Sequence, residues 1–190
     1  MAAKPGERKM QILQTLAEML QKPQGTKITT AALAAKLAVS EAALYRHFAS
    51  KAQMFEGLIE FIEQTLFGLI NKITVEEQSG VKQLEATLSL LLGFPKKNPG
   101  MTRVLIGDAL VNEDERLQGR INQLHDRLEA TLRQSLRIAV TQQEISGEVD
   151  AGAQANLIIC YVIGRWHQFA KSGFKREPME YWQAQWPQLL

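Results

Sequence analysis

The sequence predicts an all-α fold, and three observations carry that expectation. Apolar residues recur three and four apart along almost the whole chain, valine and isoleucine never fall into the alternating runs of a strand, and glycine and proline punctuate at helix-length intervals. The 190 residues, 45% of them hydrophobic, suit one compact unit or two small, closely packed ones.

Nine helices are expected in turn. The first spans 7–21, with Ile12, Leu13, Leu16, Met19 and Leu20 on one stripe and Pro23 and Gly25 ending it. Two short helices follow over 30–37 and 41–48. The fourth runs over 51–73, its start marked by a capping box of Ser50 and Gln53. The fifth, 81–94, is apolar on most sides and closed by Pro95, and Asn98-Pro99 opens the sixth, 99–111. The seventh, 114–141, sets Leu117, Ile121, Leu124, Leu128, Leu132 and Leu136 three or four apart. The eighth covers 151–171 and the ninth 178–189. The linker candidates, at 21–27, 76–80, 144–148 and 173–178, are all short.

The net charge of +2 conceals an asymmetry. Residues 1–51 hold eight Lys/Arg against three acids, whereas the remainder holds 14 basic and 17 acidic residues. A basic head on a mildly acidic body suits contact with a polyanion. Cys160 is the one cysteine, so no disulfide forms within the chain, in keeping with a reducing compartment. The first ten residues lack the apolar stretch of a secretory signal, and the longest apolar runs are far too short for a bilayer. A soluble, cytoplasmic protein without membrane partners is expected.

Catalysis is not indicated. His47, His125 and His167 have no metal-ligand spacing with acids or with Cys160, so neither metal nor cofactor is expected. Gly80, Gly93 and Gly100 are helix-end glycines rather than a phosphate loop, and no serine or cysteine sits in a nucleophile motif.

The segment Ile28–Lys51, ITTAALAAKLAVSEAALYRHFASK, has the composition of a helix-turn-helix. Two short helices flank the Ala38-Val39-Ser40 turn; Leu33, Ala34, Leu37, Val39, Leu44 and Phe48 are the inward set, and the small Ala31, Ala34 and Ala35 permit a steep crossing. Ser40 suits the N-cap of the second helix. That helix presents Glu41, Ala42, Ala43, Tyr45, Arg46 and His47 to a groove. Small side chains let the backbone approach, alanine methyls meet thymine methyls, Arg46 reaches guanine edges and Glu41 accepts from a cytosine amine. Tyr45, His47, Lys51 and one of Thr29 or Thr30 are expected on phosphates, which fix position without reading sequence.

With LYRHF at Leu44–Phe48 and Ser50-Lys51 starting a long helix, residues 28–63 resemble the N-terminal domain of the TetR family. The resemblance implies a nine-helix architecture: a DNA-binding unit, here 1–51, and a helical core, here 52–190, that dimerises through its last two long helices. A homodimer would set two recognition helices roughly 34–36 Å apart on a near-palindromic duplex site. In the eighth and ninth helices Leu157, Tyr161, Gly164, Trp166, Trp182 and Trp186 are the candidate interface.

Three further stretches, Leu90–Arg103, Glu115–Leu124 and Ser172–Pro178 with Trp186-Pro187, are similar to the nucleoid-occlusion branch of that family. The resemblance implies a protein on the nucleoid that, bound to DNA, captures the division protein FtsZ and inhibits septation. Its partner groove lies between the fourth and fifth helices, at positions matching Phe61, Leu90, Gly93, Lys97 and Asn98. Lys97 and Leu69 stand where that branch carries arginine. The alternative is a ligand-responsive repressor with a body pocket lined by Met101, Leu105, His125, Cys160 and Trp166.

Overall fold

The computed structural model describes residues 5–22 and 28–190. Pro23 and Gly25, expected to end the first helix, lie outside the described residues, as does most of the 21–27 linker. Among the described residues there are nine α-helices and no strand: α1 (Pro5–Met19), α2 (Thr30–Lys36), α3 (Glu41–Tyr45), α4 (Lys51–Glu76), α5 (Gly80–Lys97), α6 (Pro99–Leu105), α7 (Glu115–Thr141), α8 (Ala151–Lys171) and α9 (Trp182–Gln185). No described helix is long and apolar enough to cross a membrane.

Side-chain caps start most of these helices, each satisfying an orphan backbone N–H. Thr29 accepts from the Ala32 amide, Ser40 from Ala43, Ser50 from Gln53 and Ser79 from Lys82. The Gln53 amide oxygen returns to accept from Ala49 N at 2.9 Å, completing the capping arrangement one residue before its expected target. Asp150 accepts from both Gly152 and Ala153 at the start of α8. Asp114 starts α7 while its carboxylate takes the Arg116 guanidinium, whose hydrogen bond holds the carboxyl pKa down to about 2.

α4 is the central rod, with Met54, Phe55, Leu58, Ile59, Ile62, Leu66 and Ile70 all buried. α5 and α7 pack together, joined through a buried hydrogen bond from Ser135 Oγ to Gln83 Oε1. α7 and α8 run antiparallel, as Asn156 Nδ2 donating to Glu129 and the His125–Trp166 ring contact at 6.1 Å require. One continuous apolar core runs from Ile12 in α1 through these helices to Leu189. Head and body are thus packed on one another, not tethered.

Three of the boundaries that depart from the sequence expectation do so because a long-range donor or a turn takes over a backbone group. Pro95 does not end α5, which continues to Lys97. A proline there cannot donate to the Leu91 carbonyl four residues back. That carbonyl instead accepts from Trp166 Nε1 at 2.7 Å, so α5 loses a ladder bond without leaving a buried orphan. α6 stops at Leu105 instead of running to 111, because Gly107 adopts φ +74° and a 3-10 turn follows over Asp108–Leu110. The ninth helix is one turn, not twelve residues. Arg165, buried in α8, donates from Nε to the Pro178 carbonyl at 3.0 Å, the acceptor that a helix starting there would offer to Trp182. Trp182 N bonds Met179 O instead, and 3-10 turns over Trp186–Leu189 finish the chain.

The joint between head and body is closely fitted. Gly100 at the start of α6 lies against α1, where an added Cβ would sit 1.9 Å from the Ala17 carbonyl oxygen. Arg103, one turn on, donates from Nη1 to the Leu20 carbonyl at 3.1 Å and from Nε to Asp108 at 2.7 Å. Lys171 at the end of α8 pairs with the other Asp108 oxygen. Burial opposes ionisation of Asp108, but the hydrogen bonds from Lys171 and Arg103 outweigh it and hold the carboxyl below its usual range. One carboxylate therefore ties the C-terminal end of α1, through Arg103, to the last turn of α8.

Candidate nucleic-acid interface

The turn between α2 and α3 decides the shape of the head's outer edge. α2 ends at Lys36, and the chain reverses through Ala38, which is held at φ 53°. Val39 N bonds Ala34 O at 3.0 Å and Ala38 N bonds Ala35 O at 3.1 Å, so the α2 carbonyls are closed off by a left-handed C-terminal turn. Ser40 then caps α3. Leu33, Ala34, Leu44 and Phe48 are buried as expected, while Leu37 and Val39 are only half-buried.

α3 is five residues long, because the Leu44 carbonyl accepts from both His47 and Phe48 and the chain turns toward the Ser50 cap. Arg46 and His47 are displayed just past the last helical turn rather than within it. Glu41, Ala42, Tyr45 and Arg46 are exposed, and Ala43 and His47 are half-buried beside Arg8 and Val39. Tyr45, a large ring, is 44% exposed and packed into no core. Among the described residues nothing walls off this Ala-Tyr-Arg edge.

The two threonines at the start of α2 divide their roles. Thr29 is exposed and accepts from the Ala32 amide, so its own hydroxyl proton is available to an outside oxygen. Thr30 Oγ1 donates to Glu41 Oε2 at 2.5 Å and accepts from Tyr45 OH at 3.4 Å. Lys51 is placed differently from Tyr45 and Arg46. Its ammonium pairs with Glu113, lies 5.6 Å from the Phe55 ring centroid and leaves the side chain 22% exposed, so it is not displayed toward a phosphate. Asn112, in the left-handed region at φ 67°, turns the chain just ahead of Glu113.

On the body, Leu90, Gly93 and Lys97 recur at helical spacing along one partly open stripe of α5, and α4, carrying half-buried Phe61, packs beside it. A Cβ on Gly93 would meet nothing within 4 Å. Asn98 is half-buried and donates to the Phe94 carbonyl, closing α5.

The expected interface residues separate into two groups. Ala153, Leu157, Cys160, Gly164 and His167 form an exposed stripe on α8, with Leu157 52% exposed and open space over Gly164. Tyr161 beside it is half-buried and donates to Gln185 at 2.8 Å. Trp166 and Trp182 belong instead to the chain's own core, where Trp166 is used by the Leu91 carbonyl and Trp182 packs on half-buried Trp186 at 5.3 Å. Neither offers a surface to a partner. Cys160 also faces outward, away from buried Leu105 and Trp166, so the five residues expected around a ligand pocket do not line one cavity. Burial holds the His125 pKa below its usual value, and its Nε2 has no hydrogen-bond partner.

Sequence reasoning gave no role to Arg103, Asp108, Glu113 and Arg165, each of which has a partner beyond its own helical turn. The Asn98-Pro99-Gly100 run was the available signal for the joint.

A family model described as bacterial regulatory proteins, tetR family, matches residues 13–58, and a SlmA-like model described as tetracyclin repressor-like, C-terminal domain, matches residues 78–190. The chain belongs to the TetR family. It is a DNA-binding protein of that family and not an enzyme. It is similar to proteins named nucleoid occlusion factor SlmA. The one from Alteromonas mediterranea is 52% identical over 185 residues, covering 97% of this chain and 95% of that protein. The one from Marinomonas sp. is 49% identical, covering 100% and 96%. The one from Idiomarina loihiensis is 50% identical, covering 98% and 95%. The TetR-family fold also matches solved structures. The fatty acid degradation regulator FadR from Bacillus halodurans superposes with a TM-score of 0.83 at 14% identity, over 99% of this chain and 97% of that one. A TetR transcription regulator from Haloarcula marismortui gives 0.82 at 15% identity, over 97% and 96%. These likenesses show the fold alone.

Proposed function

We propose that this protein is a nucleoid occlusion factor: a homodimer that docks two α3 edges in successive major grooves of a near-palindromic site and, on DNA, blocks assembly of FtsZ at the cell centre. The observation that carries the DNA half is the unobstructed edge of Ala42, Tyr45 and Arg46 on a capped, firmly packed helix. The nucleoid half rests on relatives of that name at about half identity over nearly the full chain. The outer stripe of α8, with Leu157 and Gly164, is the surface for the second copy, whose approach the missing Gly164 side chain permits.

In this arrangement Arg46 reads a guanine, Glu41 a cytosine amine, and Ala42 and Ala43 admit the backbone. Thr29 and Tyr45 grip phosphates, aided by the N–H groups at the start of α2. Arg46→Ala is expected to cost about 1–3 kcal/mol on the preferred site and to relax preference at one base pair per half-site. Tyr45→Ala is expected to weaken all duplexes alike. Gel-shift titrations on preferred and scrambled duplexes check both, and unchanged affinity in both variants would refute the docking.

The stripe of Leu90, Gly93, Lys97 and Asn98 beside Phe61 is the site for the FtsZ tail. Because Gly93 has open space above it, Gly93→Gln is expected to fold normally, bind DNA normally and lose the tail peptide. Fluorescence titration with a labelled FtsZ tail, in the presence of operator, measures this; retained peptide affinity would move the partner site elsewhere. Chromosome-wide mapping of bound sites then separates occlusion from control of a few promoters.

A further inference from the structure

We infer that Thr30 is a positioning residue for base readout: its hydroxyl presets the Glu41 carboxylate, while its oxygen holds Tyr45 beside it until a phosphate takes the Tyr45 hydrogen bond. This rests on the docking of α3 proposed above. Glu41 is exposed at the first residue of a five-residue helix, where a glutamate side chain otherwise samples many rotamers. Thr30, on the neighbouring helix, donates to Glu41 Oε2 at 2.5 Å, a length that belongs to a charge-assisted hydrogen bond. The same hydroxyl oxygen lies 3.4 Å from Tyr45 OH, at the long end of the range for such bonds. A hydroxyl has one proton and two lone pairs, so Thr30 can give its proton to Glu41 while accepting from Tyr45.

Two consequences follow from this chemistry. With one lone pair of Oε2 taken by Thr30, Oε1 is the freer oxygen to accept from an exocyclic amine, and its direction is set before DNA arrives. Presetting removes rotamer loss from the binding step. The Tyr45 bond is the weak link of the relay. A phosphate can take the Tyr45 proton without disturbing the stronger Thr30–Glu41 bond. Thr29, one residue earlier, caps α2 instead, its oxygen accepting from the Ala32 amide.

The test uses the full chain and a randomised duplex pool, sequenced after selection by binding. Glu41→Gln should lower discrimination at one base pair per half-site roughly tenfold. Thr30→Val, which keeps the shape and loses the hydroxyl, should lower discrimination at that same base pair and nowhere else. The double variant should be no worse than Glu41→Gln alone, and Thr30→Ser should keep the parental preference. Melting curves of each variant confirm folding. Thr30→Val with parental preference, Thr30→Val weakening every position equally, or Thr30→Ser behaving like Thr30→Val would each overturn the inference. If Glu41→Gln changes no preference while Arg46→Ala does, the inference falls and the docking stands. If neither changes any preference, both fall.

Discussion

Gly100→Ala is expected to lower the melting midpoint by about 6–12 °C, corresponding to about 3 kcal/mol of overpacking in a chain of this size. The added Cβ would lie 1.9 Å from Ala17 O and 3.2 Å from Leu20 Cβ. The first of these is backbone in the last turn of α1, with no rotamer to turn aside. Either α6 moves away from α1 or the α1 backbone yields, and both routes loosen the Arg103 bond to Leu20 O. Operator affinity should fall with stability, since α1 is the support on which α2 rests. Calorimetry on the variant checks the first effect and gel-shift titration the second. A variant that melts with the parent would mean that the α1–α6 contact is looser than this geometry.

Leu44→Ala is expected to remove about 2–5 kcal/mol from the packing of the recognition helix. Leu44 is 1% exposed and is the one buried residue of α3. A five-residue helix has almost no stability of its own, so its conformation depends on the surface it is packed against. Loss of that anchor should abolish base preference in gel-shift titration. The α8 stripe is untouched, so size-exclusion chromatography should show an unchanged assembly. Retained base preference would show that α3 is not the reading element.

Much of the fold was legible because local signals and tertiary packing agree. α8 runs over 151–171 as the sequence predicts, and the structure adds Asp150 as its cap. The α2–α3 turn was legible for the same reason: Ser40 caps, Leu33 and Leu44 are buried and Tyr45 is displayed. What could not be seen were backbone groups satisfied from far along the chain. Pro95 stays inside α5 because an indole 71 residues later takes the Leu91 carbonyl. The ninth helix shrinks because Arg165 takes the carbonyl of Pro178. Lys51 looks like a phosphate ligand in any local window, and only the pairing with Glu113, 62 residues on, removes it.

The same physics limits the reading of aromatic residues. Trp166, Trp182 and Trp186 look like interface anchors when α8 and the C-terminal turns are drawn alone. A tryptophan buries most favourably where its N–H also finds an acceptor, and Trp166 finds one within its own chain. The residues left outside, Leu157 and Gly164, carry less apolar area, so self-association draws on a broad, shallow face rather than on a few deep anchors.

The uninterrupted core from Ile12 to Leu189 has a further consequence. Head and body share buried side chains, so the two ends of the molecule melt as one cooperative body. A duplex that grips α3 therefore acts as a thermodynamic load on the whole chain. By mass action it deepens the native well by RT ln(1 + [DNA]/Kd), about 2.7 kcal/mol at a hundredfold excess over Kd. Copies parked on the chromosome would outlast free copies against proteases that cleave opened chains, and the supply of binding sites would set the protein's lifetime as well as its address.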